Sequence, residues 1–415
     1  MTAVLNSQRL VPVGYVGTPR LLRALDLLDP AEHLAAHGPL PVLDRAGLLG
    51  LLGAAPLAGR GGAGFPLAAK VRGLRAGPAP VVVVNGAEGE PVSAKDRALL
   101  GRAPHLVLDG AQLLAGAVGA RSILVAVGDP ALAGLLERVL AGRPRVSKLD
   151  VEVREVPDRF VTGEARALVS ALNGGAALPP GRRVLPTEHG VGGRPTLVCN
   201  TETLAQLAVL ARIGPAAFAA TGTRGEPGTT LLTVTGAVAN PGVLEVPLGT
   251  RLGDVAAAVG AQPSQAVVIG GYHGMWLRPA PKLELSRAGL ARDGGTLGAG
   301  VVIFVGERTC PLGELTRVAG WLAGESARQC GPCTFGLPAL AGELRRLAGG
   351  TPVKRNALRM ADLVTGRGAC AHPDGAARFI RSALGQLTEE LQLHQAYGSC
   401  RRSDLGQLAT TRTVW

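Results

Sequence analysis

The stretch PVVVVNGAEGEP, residues 80–91, sets the reading of the whole chain. Four consecutive valines are apolar on both sides of an extended backbone, the pattern of a strand buried on both faces of a parallel sheet. The strand runs out at Asn85-Gly86 and gives way to an acidic loop. In open α/β sheets, ligands bind just beyond the carboxyl ends of the strands. Asn85, Glu88 and Glu90 are therefore candidate binding residues. Asn85 can hydrogen-bond a flavin or sugar edge, and the carboxylates can accept from ribose hydroxyls or a nicotinamide amide. The plain alternative is a solvated turn, which Glu-Gly pairs usually make.

Working outward, apolar helix and strand patterns alternate. Residues 104–119 read as a helix, 122–128 as a strand, 130–141 as a helix and 149–156 as a strand. A loop into a helix follows at 161–174, then a strand and a helix at 196–213. This alternation predicts a three-layer α/β domain over 43–228, opened by a helix at 43–54 capped by Asp44. From 229 the texture changes to a hairpin turning at Asn240-Pro241-Gly242, a helix, and strands near 266–269 and 301–305, giving a small β-rich module over 229–308. Residues 309–397 read as a helical bundle. Before all this lies an arm, 1–42, irregular except for one helix around LLRALDLL (21–28), and after it a loose tail, 398–415.

Between the first helix and the valine strand lies GRGGAGFP, 59–66. It matches G-x-G-x-x-G at Gly59, Gly61 and Gly64, but a helix precedes it and the strand comes afterwards. The dinucleotide fingerprint needs the reverse order, so that reading is rejected. What remains is either a turn or a backbone cradle, whose glycines let a planar ring or a phosphate approach inward-pointing N–H groups. Lys70 follows closely enough to pair with a phosphate.

The chain has 415 residues, 47% of them hydrophobic, 18% charged and 3% aromatic, with 60 Gly and 30 Pro. This is globular composition with room for several cores. The formal net charge is +12, but the Arg residues are scattered and aromatic platforms are scarce, which argues against nucleic acid as a partner. A nucleotide cofactor or an acidic electron-transfer partner accounts for the charge equally well. The N-terminus lacks the basic start and apolar core of a signal peptide, and no apolar run reaches membrane-spanning length. A cytoplasmic protein is expected. Six cysteines in such a chain point to metal or redox chemistry rather than structural disulfides. Two of them, Cys330 and Cys333, sit in ESARQCGPC at 325–333. The spacing suits a metal or cluster site, or a redox dithiol, although the flanks are helical and lack a thioredoxin-like βαβ setting.

Taken together, GRGGAGFP with Lys70, NGAEGEP with KDR at 85–97, Pro104-His105, FVTGEARALVSALNGG at 160–175, GRPTLVCNTETLA at 193–205 and the cysteine region fall into one order. In that order the chain resembles the NADH-binding FMN and iron–sulfur flavoprotein subunit of respiratory complex I (the 51 kDa type), as a divergent paralogue. The diaphorase subunit of NAD-reducing hydrogenases is similar. The resemblance covers roughly residues 45–385. It implies a Rossmann-like three-layer FMN/NADH domain, a β-grasp module of the SLBB, ubiquitin-like type, and a C-terminal four-helix bundle that binds an iron–sulfur cluster.

Carried onto this chain, the resemblance implies that Gly61, Gly62, Gly64 and Lys70 line FMN and its phosphate. Asn85, Glu88, Gly163 and Glu164 would surround the flavin, and Asn200 and Thr201 would reach it from the next strand end. Phe65 would stack on a nicotinamide or adenine face, and Glu90 would hold NADH. Three positions depart from the family pattern: Ala87 and Ala165 stand where acidic residues are usual, and Cys199 replaces an Asn. Each removes a polar contact worth about 0.5–1.5 kcal/mol, so FMN binding survives while NADH affinity and the choice between NADH and NADPH are put in question.

The resemblance also implies a [4Fe–4S] cluster on four cysteines. Cys330, Cys333 and Cys370 fill three of the positions, and Ala327 stands in the fourth. Either the cluster persists with a different fourth ligand, or a three-iron cluster forms, or the site is empty. Cys310, Cys400, Gln329 and His372 are the candidate substitutes. The activity implied is NADH:acceptor oxidoreduction, passing electrons through FMN and a cluster to a ferredoxin or two-iron partner subunit, and the resemblance allows peripheral association with a membrane complex. Because the cofactors carry the chemistry, no catalytic acid or base is expected. The alternatives are an FMN-only diaphorase and a degenerate homologue acting as a scaffold.

Overall fold

The structure, a computed structural model, describes residues 11–22, 29–144, 149–181 and 184–412. The helix expected around 21–28 falls mostly outside the described residues. In chain order the strands are β1 (Val13–Tyr15), β2 (Val81–Gly86), β3 (Ser122–Val127), β4 (Asp150–Glu155), β5 (Thr196–Asn200), β6 (Thr229–Gly236), β7 (Gly242–Pro247), β8 (Ser264–Ile269), β9 (Met275–Leu277) and β10 (Val301–Gly306).

Strands β2 to β5 form one sheet of order β4-β3-β2-β5, parallel throughout. The valine run is its centre. Val82 and Val84 pack on one face with the helices Pro104–Val118 and Thr201–Ala219, while Val81 and Val83 pack on the other with Leu168 and Val169 of the helix Ala165–Leu172. All four valines are fully buried, as the unbroken apolar run required. The layer order helix–sheet–helix follows directly. The chain runs from β2 outward through β3 to β4, then returns to lay β5 on the other side of β2. That reversal makes a crevice at the carboxyl ends of β2 and β5.

The second sheet has the order β1-β7-β6-β10-β8-β9. β6 and β7 form the hairpin that the Asn-Pro-Gly turn called for, and β10 runs parallel beside β6. The helix Leu252–Val259 packs Leu252, Val255 and Val259 against this sheet. Parallel central strands, a hairpin and a crossing helix are the β-grasp arrangement. β1 was not anticipated. It leaves the arm to pair in parallel with β7, Val13 opposite Val243. The arm is also fixed at its helix Pro30–His37, where His33 Nε2 bonds Asp109 Oδ2 at 2.7 Å.

The helical region contains Pro311–Gly324, Leu337–Ala348, Lys354–Val364 and His372–Gln386, whose apolar stripes share one core. The sequence pattern reads as one helix over 374–395. It breaks at Leu387 (φ −91°, ψ 34°), and a further helix, Thr388–Tyr397, packs back on the bundle. The tail is not loose over its described length. The buried Glu314 carboxylate accepts Gln407 N at 2.8 Å and Leu408 N at 3.0 Å, Leu408 is fully buried, and Tyr272 Oη donates to Ala409 O at 2.6 Å. Buried backbone groups without partners are costly, and the Glu314 carboxylate gives the tail amides theirs. No helix among the described residues is long and apolar enough to cross a membrane.

Candidate functional site

A cavity of about 340 Å³ opens at the crevice between β2 and β5. Its walls come from all three units: the glycine loop and strand ends of the α/β sheet, the Gly270–His273 turn of the β-grasp module, and Cys370–His372 of the bundle. Of the residues singled out from sequence, Gly61, Gly62, Asn85, Glu88, Glu90, Gly163, Glu164 and Asn200 line it, as does Cys370. Gly64, Phe65, Lys70 and Thr201 are not among its lining residues. Phe65 is half exposed, and Lys70 Nζ donates to Val198 O at 2.6 Å.

The glycine loop is built around close approaches. A Cβ on Gly61 would come within 3.2 Å of Asn200 Cβ, and one on Gly64 (φ +65°) within 2.5 Å of the Arg287 guanidinium. Arg287 reaches over from the β-grasp module, donating to Gly64 O at 3.2 Å and Gly59 O at 2.9 Å. Its own N–H donates to Glu226 Oε2 at 2.6 Å. The loop carbonyls are thus held from behind. Among the described residues, none accepts a hydrogen bond from the N–H groups of Gly61, Gly62 or Ala63. Free amides on a glycine loop are what an anionic ligand uses.

At the end of β2, Asn85 Nδ2 donates to Gly163 O at 2.9 Å while its Oδ1 accepts from Ala87 N at 3.2 Å. Asn85 thereby ties the acidic loop to the 160–163 turn. Glu88 is spent on structure: its Oε1 accepts Ser93 Oγ at 2.5 Å and Asp96 N at 3.1 Å. Glu164 caps its helix, accepting Arg166 N and Ala167 N. Glu90 differs from both. Its Oε2 accepts Tyr272 N at 2.8 Å, but its buried Oε1 has no partner. Burial pushes the Glu90 carboxyl up to about 8; the Tyr272 amide pulls it back and the Glu88 charge adds to the rise. An unpartnered, strongly perturbed carboxyl in a cavity wall marks a ligand-facing group.

Beneath the loop lies a buried charge network that sequence reasoning missed. Lys95 Nζ donates to Glu202 Oε2 at 2.6 Å and to Arg60 O at 3.0 Å. Asp96 accepts Asn200 Nδ2 at 2.7 Å and Thr201 Oγ1 at 2.5 Å. Burial lifts Asp96 to about 6, with Lys95 opposing and Glu88 assisting. Lys95 and Asp96 both line the cavity, so they place one positive and one titratable group on its floor. The signal lay in KDR at 95–97, where adjacent opposite charges follow directly on the acidic loop.

On the bundle side, Phe160, His273, His372 and Trp321 stack edge to face, with the Phe160 and His273 rings 4.7 Å apart and the Phe160 and Trp321 rings 5.2 Å apart. His372 Nε2 donates to Leu322 O at 2.9 Å, so its Nδ1 accepts from His273 Nε2 at 3.1 Å. Burial holds both imidazoles below their ordinary range.

Cys330 and Cys333 sit in a turn where Cys333 N donates to Cys330 O at 3.1 Å. The Cys333 thiol is pushed up to about 12 by burial first, then by Cys330 and Cys370. Cys370 is raised by burial as well, with the His372 amide donating to its sulfur. Three thiols converge here, and the backbone beside Ala327 turns through Arg328 at φ +51°. The residues fit a cluster at three corners and leave the fourth without a cysteine. The candidate substitutes do not close it. Gln329 is exposed, and both His372 nitrogens are engaged. Cys310 and Cys400 meet one another, together with Glu390 and His394. Cys310 caps the N-terminus of Pro311–Gly324, a helix about 21 Å long by its 14 residues, while the cluster turn follows its far end.

The fold and site define a flavoprotein-type α/β domain joined to a β-grasp module and an iron–sulfur helical bundle. Three family models match, described as the Nuo51 FMN-binding domain (52–209), the SLBB domain (231–268) and the NADH-ubiquinone oxidoreductase-F iron-sulfur binding region (314–394). The F 2 chain of the NADH-quinone oxidoreductase of Rhizobium meliloti (strain 1021) is 30% identical over 363 residues, 81% of this chain and 86% of that protein. The alpha chain of the NAD-reducing hydrogenase HoxS of Cupriavidus necator is 34% identical over 235 residues, 52% of this chain and 39% of that one. A chain of an NAD+-reducing [NiFe]-hydrogenase, solved in the H2-reduced state, superposes with a TM-score of 0.79 at 28% identity over 94% of this chain and 68% of that chain. The protein belongs to the family of NADH-quinone oxidoreductase F chains.

Proposed function

We propose that this chain is an NADH-oxidising electron-input subunit that takes hydride at the cavity and passes electrons through the bundle to a ferredoxin-like or two-iron partner. The observation that carries this reading is the shared wall: Cys370 lines the same cavity as Gly61, Gly62 and Asn200. A ligand held on the glycine loop is then next to a cluster-type thiol. FMN, when bound, supplies an acceptor of two electrons that can release them singly.

The residues divide the work. Gly61 and Gly62 would hold FMN through the unpaired loop amides, with Asn200 at the adjoining strand end, while Gly64, Thr201 and Lys70 would support that loop and strand from outside the cavity wall. Asn85, Gly163 and Glu164 fix the 160–163 turn in the cavity wall, where they would flank the flavin, and Glu88 holds the acidic loop in place. Glu90 would supply the free carboxyl oxygen for a nicotinamide or ribose donor, and Phe65, exposed on the glycine loop outside the cavity lining, would offer a ring to a nicotinamide or adenine face. The neutral His273–His372 pair and Phe160 exclude water between cavity and cluster turn. Cys330, Cys333 and Cys370 would bind the cluster. A cytoplasmic setting suits the reduced thiols.

Purification under anaerobic conditions, with visible and EPR spectra before and after NADH, tests this. Bleaching of a flavin band with a new cluster signal supports the reading. Ala327 favours one alternative, an FMN diaphorase without a cluster, which would show bleaching but no iron. A colourless protein that cannot be reconstituted with FMN sinks both.

A further inference from the structure

The four side chains at the start of the bundle, Cys310, Glu390, His394 and Cys400, play no part in the electron route above. Their donor atoms all lie within 4.8 Å of one another. We propose that they form a structural zinc site that pins the C-terminal tail to the bundle and the β-grasp module.

Three of the four donors stand at the separations of a tetrahedral site, and Cys400 lies within reach of them. With zinc bonds of about 2.3 Å to sulfur and 2.0–2.1 Å to nitrogen and oxygen, tetrahedral angles place S and N, and S and O, ~3.5 Å apart and N and O ~3.3 Å apart. Cys310 Sγ is 3.5 Å from His394 Nε2 and 3.5 Å from Glu390 Oε1, and those two atoms are 3.1 Å apart. These three ligands are therefore close to their metal-bound separations, and Cys400 Sγ lies within 4.8 Å of each. A mixed thiolate, imidazole and carboxylate set suits zinc.

The surrounding contacts orient each ligand. His394 Nδ1 donates to Ala348 O at 2.7 Å, since a carbonyl can only accept; this fixes the tautomer and leaves the Nε2 lone pair facing the other three donors. A lone pair aimed at a carboxylate oxygen is satisfied by a cation between them. Cys310 caps the helix Pro311–Gly324, and Gly313 N donates to its sulfur at 3.2 Å, which fixes where the sulfur sits. Glu390 keeps Oε2 for Arg402 and offers Oε1 to the centre. Charge also closes: two thiolates and one carboxylate against a divalent ion leave one negative charge, which the Arg402 guanidinium meets. Binding forms four donor–metal bonds, releases the two thiol protons and moves no electrons.

What the site would hold is clear from its connections. Cys310 joins β10 to the bundle, Glu390 and His394 sit one turn apart on Thr388–Tyr397, and Cys400 begins the tail. From there Arg402 donates to Gln265 Oε1 at 3.2 Å and Glu307 O at 3.1 Å, and the tail runs on to Arg412, which donates to Glu88 O at 3.0 Å. Fixing Cys400 fixes the start of a strap that ends on the acidic loop of the cavity.

The test is metal analysis of the full chain, purified anaerobically from zinc-supplemented cells, by mass spectrometry for zinc and iron together. About one zinc per chain is expected. Cys400→Ser and His394→Ala should each lower zinc at least tenfold, whereas Cys330→Ser should lower iron and leave zinc in place. Stripped wild-type protein titrated with Co2+ should develop the near-ultraviolet thiolate-to-cobalt band, which keeps the test decisive if a variant does not fold. Chelation should speed tryptic cleavage at Arg401 and Arg402. The proposal is overturned if zinc content is independent of Cys400, if stripped protein takes up no Co2+, or if freshly purified protein carries a Cys310–Cys400 disulfide.

Discussion

Glu90 of the α/β unit takes the main-chain N–H of Tyr272, in the β-grasp module, at 2.8 Å, and Gly271 is the residue that lets them meet. A Cβ at Gly271 would stand 2.3 Å from Glu90 Oε2. One carboxyl thus locks two units together and still has an oxygen to offer a ligand.

This carboxyl makes stability fall as pH rises. Its folded value is raised to about 8, above the ordinary 4.5. Between those values the unfolded chain gives up a proton that the folded chain keeps, so the folded state loses about 1.4 kcal/mol per pH unit over that window. In ligand-free protein, Glu90→Gln should therefore raise the melting temperature at pH 8 and have little effect near pH 4.5. Calorimetry across that range is the check; equal shifts at both ends would place Glu90 in contact with solvent.

Arg287 holds the glycine loop from outside the α/β unit. Arg287→Ala removes two donors to loop carbonyls, each worth about 1.5–3 kcal/mol as a charged hydrogen bond. FMN affinity is expected to weaken at least tenfold while the far-ultraviolet spectrum stays unchanged. Fluorescence titration with FMN reads this directly, and unaltered affinity would mean the loop keeps its shape unaided.

Restoring the absent thiol is the sharpest probe of the bundle. Ala327→Cys should raise iron per chain and slow cluster loss in air. Iron content with low-temperature EPR decides it, and no change would mean that the pocket no longer accepts a cluster.

Asp109 receives His33, Arg143 and Arg212 together. Burial alone would raise its pKa, but the His33 hydrogen bond and the two guanidinium groups hold it well below the carboxylate range. A depressed folded value means stability that is complete above about pH 4 and is lost as pH falls toward the folded value. Asp109→Asn strands two largely buried arginines and should cost about 3–5 kcal/mol at pH 7. Denaturation of the two proteins at pH 7 and at pH 3 should show the gap narrowing in acid.

Much of this was legible because it is local. Four valines dictate a central strand, and the strand order then places Asn85 and Asn200 at one crevice. Asn85, Glu88 and Glu90 reach that crevice because they lie at or just past the end of β2, whereas Gly61 and Gly62 come to it on a loop between two helices. What escaped notice is assembled over long separations. Tyr272 stands 182 residues from the carboxyl it binds, and nothing in GYHG announces that contact. β1 is three residues long and includes a glycine, too little for a periodic signal. The Cys310 group spans 90 residues (400 − 310), and only Glu390, His394 and Cys400 are near enough in sequence to suggest a motif. Adjacent opposite charges in KDR do not tell a buried pair from a solvated one; only the packed fold shows Lys95 and Asp96 buried.

The pairing of β1 with β7 has a consequence for the order of synthesis. Val13 meets Val243, which is made 230 residues later (243 − 13). At about 5–20 residues per second, roughly 10–50 seconds pass before the partner exists. The first strand to leave the ribosome is thus among the last to dock. Until it does, the outer edge of β7 is open to any extended segment nearby, including the same segment of a neighbouring nascent chain on the same message.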